Sequence, residues 1–105
     1  QLDIADKDNG QMPKRFTVYQ NYPNPFNPVT GLRYDLHSDK MVRAAVYDAS
    51  GRLIRTLVSS LQDAGQKSLT WNGVNDQGQT VSAGVYFCVI EAGPQRQIIK
   101  MMLLK

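Results

Sequence analysis

Gln20–Leu36, QNYPNPFNPVTGLRYDL, decides how the chain is read. Pro23, Pro25 and Pro28 stand among asparagines and two large aromatics, Tyr22 and Phe26, and a strand-like alternation follows at once. Three readings compete: a tether, a proline-rich ligand for another protein, and the first built part of a folded domain. A tether is polar and seldom carries Tyr and Phe. A proline-rich ligand needs P-x-x-P spacing, which only Pro25 and Pro28 supply. The third reading fits the residues best. Proline fixes φ and has no N–H to donate, which suits an extended crossing between sheets at an edge. Tyr22 and Phe26 are then expected to close the end of the core as a plug.

Downstream, patterns of period two dominate. Leu32, Tyr34 and Leu36 alternate with Arg33, Asp35 and His37, and Val42, Ala44 and Val46 alternate with Arg43, Ala45 and Tyr47. Asp48-Ala49-Ser50-Gly51 supplies a tight turn between strands. Leu53, Ile54, Leu57, Val58 and Leu61 also fit a helical face. A strand over Leu53–Val58 is preferred, because it starts directly after a hairpin-type turn and is rich in β-branched residues. Leu69 and Trp71 point inward from the next run. GVYFCVIEAG and RQIIKMMLLK are nearly continuous apolar runs, expected to be strands covered on both faces and joined as a terminal hairpin through Ala92–Gln95. The pattern predicts an all-β fold, an immunoglobulin-like antiparallel β-sandwich of about seven strands. With Cys88 the one cysteine, no internal disulfide can form, so the core around Trp71 holds the sheets together.

Upstream, residues 1–15 are polar and aperiodic and read as a flexible linker or N-terminal arm, so the domain is expected to span 16–105. Asp6–Gly10 carries a faint calcium-loop pattern but lacks the alternating ligand set and the closing Glu, which favours a solvated linker. A chain of 105 residues with 42% hydrophobic and 20% charged content is one globular domain. Its net charge of +3 comes from basic residues scattered singly apart from Lys14-Arg15, which argues against a nucleic-acid partner. No apolar run approaches the length of a membrane span, so no membrane insertion is expected. The chain begins with Gln1 rather than Met, which is read as a fragment of a longer precursor carrying its targeting segments elsewhere.

Catalysis needs converging groups, and few are offered. His37 is the single histidine and falls on the polar face of its strand; Glu91 is the single glutamate. The aspartates fall mainly in turns, where carboxylates cap backbone amides. No nucleophile elbow, zincin motif or phosphate loop appears, and no zinc spacing. Neither catalytic residues, cofactors nor metals are expected. The stretch Trp71–Gly84 stacks turn signals at Asn72-Gly73, Asn75-Asp76 and Gln77-Gly78, and reads as an ordered loop bonded to itself rather than a sugar or metal site. Tyr19, Tyr22, Tyr47 and Tyr86 are the candidates for a carbohydrate-binding face, while Tyr34, Phe87 and Trp71 are read as core.

FTVYQNYPNPFNPVTGLRYDL, VYDASGRLIRTL, AGQKSLTWNGVNDQG, SAGVYFCVIEAG and the closing KMMLLK occur in this order. Together they resemble the type A C-terminal sorting domain of the type IX (Por) secretion system, related in turn to the immunoglobulin-like module of flagellar hook-capping proteins. The resemblance covers about residues 16–105. It implies a noncatalytic sorting signal at the end of a larger exported cargo. The implied partners are the type IX outer-membrane translocon and a sortase-like peptidase, with the cargo lying N-terminal in the same precursor. The implied destination is the cell surface or the medium, by way of the periplasm. Carried onto this chain, the recognition elements are Gly84, Val85 and Tyr86 with Lys100 and Lys105, and cleavage is expected before Phe16. The motif residues are Tyr22, Pro23, Asn24, Pro25, Phe26, Trp71, Asn72 and Gly73. The chain departs from the family at Asn72, where Asp is frequent, and at Val74, Cys88 and His37. The alternative readings are a structural spacer or assembly module of hook-capping type and a carbohydrate-binding module.

Overall fold

The computed structural model describes residues 16–104; the N-terminal arm, its Asp6–Gly10 stretch and Lys105 lie outside the described residues. Seven strands follow one another: β1 (Thr17–Val18), β2 (Thr30–Leu36), β3 (Lys40–Asp48), β4 (Leu53–Gln62), β5 (Gly65–Trp71), β6 (Gly84–Ala92) and β7 (Gln95–Leu103). They form a three-stranded sheet, β1-β2-β5, and a four-stranded sheet, β4-β3-β6-β7, with every strand pairing antiparallel. The predicted immunoglobulin-like sandwich is the fold.

The alternation that predicted β2 and β3 has a direct physical basis: successive side chains leave a strand on opposite faces, so one set meets the facing sheet. Leu32, Tyr34, Leu36 and Trp71 enter the core from the smaller sheet. Val42, Ala44, Val46, Tyr86, Cys88, Ile90, Ile99, Met101 and Leu103 enter from the larger one. Cys88 is a free thiol buried among them, and burial pushes it up to about 12, so it behaves as a small apolar side chain.

Two expectations are corrected. β7 is not covered on both faces: Ile99, Met101 and Leu103 are buried while Arg96, Ile98, Lys100 and Met102 are exposed. Its apolar run reflects apolar residues set on the outer face as well, not a second layer over it. Phe87, read as core, sits half-buried on that same outer face, because its neighbours Tyr86 and Cys88 take the inward positions.

The ambiguous segment is a strand, and a longer one than expected, running to Gln62. The β3–β4 pairing carries register shifts between Ala44 and Ala45 and between Val46 and Tyr47. Such shifts break strict alternation, and consecutive Leu57 and Val58 both pack against the core. Asp48 secures the intervening turn. Its carboxylate accepts from Ser50 N, Ser50 Oγ and Arg52 N at 2.6–3.0 Å, and the Ser50 hydroxyl first, then the Arg52 amide, hold its pKa below the usual carboxylate value.

Candidate functional site

The motif residues scattered along the chain come together at one end of the sandwich. Trp71 is fully buried at the end of β5, with Tyr86 edge-on at 5.2 Å and Phe26 tilted against it at 5.6 Å between ring centroids. Trp71 Nε1 donates to the Val74 carbonyl at 2.9 Å, which satisfies the indole and folds the chain back after Asn72. The partner is a backbone group, so Val74 serves as well as any other side chain there. Gly73 is required by its backbone conformation, at a point of ordinary close packing. Its φ is +73°, and a methyl group there would meet the Pro28 carbonyl oxygen at 3.4 Å and Leu103 Cδ2 at 3.6 Å. The proline segment, the Trp-Asn-Gly loop and the end of β7 therefore meet at one point.

The proline segment crosses between the sheets, as predicted. At its start Tyr22 bridges Gly31 of the smaller sheet with two backbone bonds, 3.0 and 2.8 Å. At its far end Phe26 N donates to Met102 O at 3.0 Å and Leu104 N donates to Phe26 O at 2.8 Å, a parallel bridge onto β7. Asn24 Oδ1 accepts from Met102 N at 3.0 Å, and Gln20 Nε2 donates to Lys100 O at 3.0 Å. Residues 20–26 thus strap the open edge of the terminal strand, where unpaired backbone groups invite pairing with another chain. Cis peptides precede Pro23, Pro25 and Pro28.

Of the two expected plug residues, only Phe26 enters the core, at 1% exposure; Tyr22 is 81% exposed. Tyr22 is turned outward by its bridge to Gly31, so the plug is one ring. A feature not foreseen lies beneath it. Asn21 and Thr30 are the buried polar pair: Asn21 Nδ2 donates to Thr30 Oγ1 at 2.9 Å, and both donate to the Pro23 carbonyl. Polar groups with mutual partners give no hydrophobic pattern, so periodicity alone does not reveal them.

The terminal hairpin presents its carried-over residues unequally. Gly84 opens β6 at φ +148°, with open space where a side chain would stand, so backbone conformation alone calls for glycine. Tyr86 points inward, its hydroxyl donating to Ser82 O at 2.6 Å, and burial raises its pKa. Val85 and Lys100 face outward. Asn72 is exposed beside the buried Trp71 and Gly73. The motif thus divides into residues that build the domain, Gly84, Tyr86, Phe26, Trp71 and Gly73, and residues whose side chains face outward, Val85, Lys100, Tyr22 and Asn72.

The loop after Trp71 is self-bonded as predicted. Asn75 Oδ1 accepts from Gln77 N and Gln79 N at 3.0 and 2.9 Å. It is also docked: Asp76 N donates to Ile54 O, and Asp76 Oδ1 accepts from Thr56 N, which covers the first half of the β4 edge. Among the described residues no group of three His, Cys, Asp or Glu side chains gathers, and no helix is long and apolar enough to cross a membrane. The tyrosines considered as a carbohydrate face do not share one. Tyr86 is in the core, Tyr47 lies on the larger sheet, and Tyr19 is tied to Asp35 and stacked by Arg33 at the smaller sheet.

Comparison with solved structures returns the same architecture in several bacterial proteins. PorU of Porphyromonas gingivalis, described as dimeric and latent, superposes with a TM-score of 0.65 at 21% identity over 97% of this chain. PorZ of the same organism, described as an essential surface component of its type IX secretion system, gives 0.58 at 21% identity over 84% of the chain. This chain spans only 10% and 11% of those two proteins. FlgD of Xanthomonas campestris, described in relation to hook capping in flagellar assembly, gives 0.58 at 18% identity, covering 83% of this chain and 64% of that one. FlgD of Pseudomonas aeruginosa gives 0.57 at 17% identity. No curated protein matches by sequence. The sequence model of the FlgD Ig-like domain matches residues 29–95, more than half of the chain, and the chain belongs to that family.

Proposed function

We propose that this domain is a noncatalytic C-terminal sorting signal, directing an exported cargo through the type IX outer-membrane translocon to the cell surface or medium. The observation that carries the reading is the convergence of the sorting-type motifs on the terminal hairpin. Phe26 and Gly73 meet Leu103 at the end of β7, Trp71 packs on Phe26 and on Tyr86 of β6, and Val85 and Lys100 are left outward on the hairpin. Its likeness to PorZ, a type IX component, supports the same reading. A signal recognised as a folded object needs its terminal strand held in register, and the strap does that. Strand addition to β7 is restricted to the part of its edge not already bonded at Lys100, Met102 and Leu104, so recognition falls on the outward side chains of the hairpin. Removal of the signal by a sortase-like peptidase would act in residues 1–15.

The test is a fusion of the full chain to a secreted reporter in a host with a type IX system. The reporter is expected at the surface or in the medium, and its retention in the periplasm overturns the reading. Deleting the last six residues is a poor control, since it removes Met101 and Leu103 from the core. Lys100→Glu changes the outward surface instead, and is expected to reduce export at least several-fold while unfolding at the wild-type midpoint.

The second reading is a structural module of hook-capping type, and the family match and the FlgD neighbours favour it. It predicts that the domain stays in the mature assembly, whereas a sorting signal is clipped. Mass analysis of the assembled protein separates them.

A further inference from the structure

The outer face of the four-stranded sheet is not an ordinary polar face. With Tyr86, Cys88 and Ile90 inward, Val85, Phe87, Val89 and Glu91 of β6 point outward. The pairing sets Tyr47, Ala45 and Arg43 of β3 beside Phe87, Val89 and Glu91, and Met102, Lys100, Ile98 and Arg96 of β7 beside the β6 residues on the other side. Arg43 Nη1 donates to Tyr47 Oη at 3.2 Å, bridging over Ala45, which is fully buried although it lies on the outside of the sandwich. Between Tyr47 and Ile98 runs a groove of about 480 Å³ floored by Phe87 and Val89. Ile98, along its flank, is 55% exposed, and Met102, further along β7 on the same face, is 40% exposed.

A concave apolar strip with a charged rim has the composition of a binding face. The rim is mixed in sign but net basic. Glu91 stands between Arg43 and Arg96 in the register, so its charge is outweighed locally, and Lys100 adds a further cation. Asp48 lines one end of the groove but is already paired with Arg52 at 3.3 Å and with its own turn. A second copy docking face to face would bring two net-basic faces together, because an isologous contact repeats one surface on both sides. An extended segment with large apolar side chains flanked by carboxylates matches both the floor and the rim.

We infer that the groove between Tyr47 and Ile98 is a docking site for an acidic, apolar-centred segment of another protein. An aromatic or aliphatic side chain fills the space over Phe87 and Val89, and its flanking carboxylates meet Arg96 and Lys100. The inference deepens the export reading by giving the chemistry of the surface that would recognise the hairpin, and rests on that reading only for the partner's identity. Binding is measured on the purified chain and export in cells, so the two fail separately.

The experiment selects a displayed library of random twelve-residue peptides against the full chain, then titrates one synthesised winner. The expected winners carry one or two large apolar residues beside Asp or Glu, and shift the resonances of Tyr47, Phe87, Val89 and Ile98. Affinity is expected to fall at least tenfold in Ile98→Asp and several-fold between low salt and 0.5 M NaCl, both loosely bounded by a small interface. Arg96→Glu, an exposed change that spares the apolar floor, is expected to weaken the same peptide. No enrichment, winners without acidic residues, or unchanged affinity in both variants overturns the inference. A concentration-dependent dimer abolished by Ile98→Asp overturns it in favour of a second copy.

Discussion

Trp71→Ala is expected to remove about 3–5 kcal/mol of stability, the usual cost of deleting a large buried aromatic, out of a total on the order of 5–15 kcal/mol for a domain of this kind. Three losses coincide at that side chain. The indole fills the space between the sheets at zero exposure, it carries the tilted contact to Phe26 and the edge-on contact to Tyr86, and it bonds the Val74 carbonyl that folds the following loop. The single cysteine is a free, buried thiol, so no disulfide shares the task. Urea unfolding followed by circular dichroism measures the effect. Trp71→Phe should fall between, since it restores much of the apolar volume but leaves the Val74 carbonyl without its donor. A loss below about 1 kcal/mol for the alanine variant would mean that the core is organised elsewhere.

Phe26→Ala is the second large effect, also about 3–5 kcal/mol by the same cavity argument, and it carries a local signature that Trp71→Ala lacks. Phe26 is the one side chain of the proline segment that enters the core, while its backbone holds Met102 and Leu104. Without the ring as an anchor, the strap should open before the sheets do. Amide exchange is the measurement. Protection at Phe26, Met102 and Leu104 should fall well below that of Cys88 and Ile90 in the centre of β6, whereas in the wild-type chain the strap amides are held by hydrogen bonds. Uniform loss of protection across all seven strands would show that the strap has no independent opening.

The legibility of the fold follows from which faces are buried. β2 and β3 were readable because one face meets the facing sheet and the other meets water, so composition follows the pleat. β4 was ambiguous because register shifts opposite it let Leu57 and Val58 both approach the core, which mimics a helical face. β7 misled in the other direction. Ile98 and Met102 make it look buried on both sides, yet they face outward, Ile98 along the groove. An apolar residue records a preference for burial, and the residue alone does not say whether its own chain or another molecule supplies the cover.

The same distinction applies to the motifs. PNPF and WNG were recognisable as words, but their convergence on Leu103 depends on a contact between residues far apart in sequence. Tyr22 and Phe26, both aromatic and four positions apart, have opposite fates because Tyr22 is turned out by its bridge to Gly31. The role of Asn24, whose side chain accepts from Met102 N, had no local signature at all. Gly84-Val85-Tyr86 mixes a backbone requirement, an outward contact and a core ring in three consecutive residues. Such a motif mixes inward and outward side chains, and only the alternation of the strand separates the two.

The central claim is that the proline segment belongs to the fold and holds its terminal strand. The most direct measurement compares the urea unfolding of a chain beginning at Gln20 with one beginning at Val29, so that Phe16 and β1 are absent from both. The account predicts that removing residues 20–28 takes away Phe26, the Asn21–Thr30 pair and the backbone bridge to Leu103 together, and lowers stability by more than the roughly 3 kcal/mol of the buried ring alone. Equal midpoints and equal amide protection at Met102 and Leu104 in the two chains would contradict it and return the segment to the status of a tether.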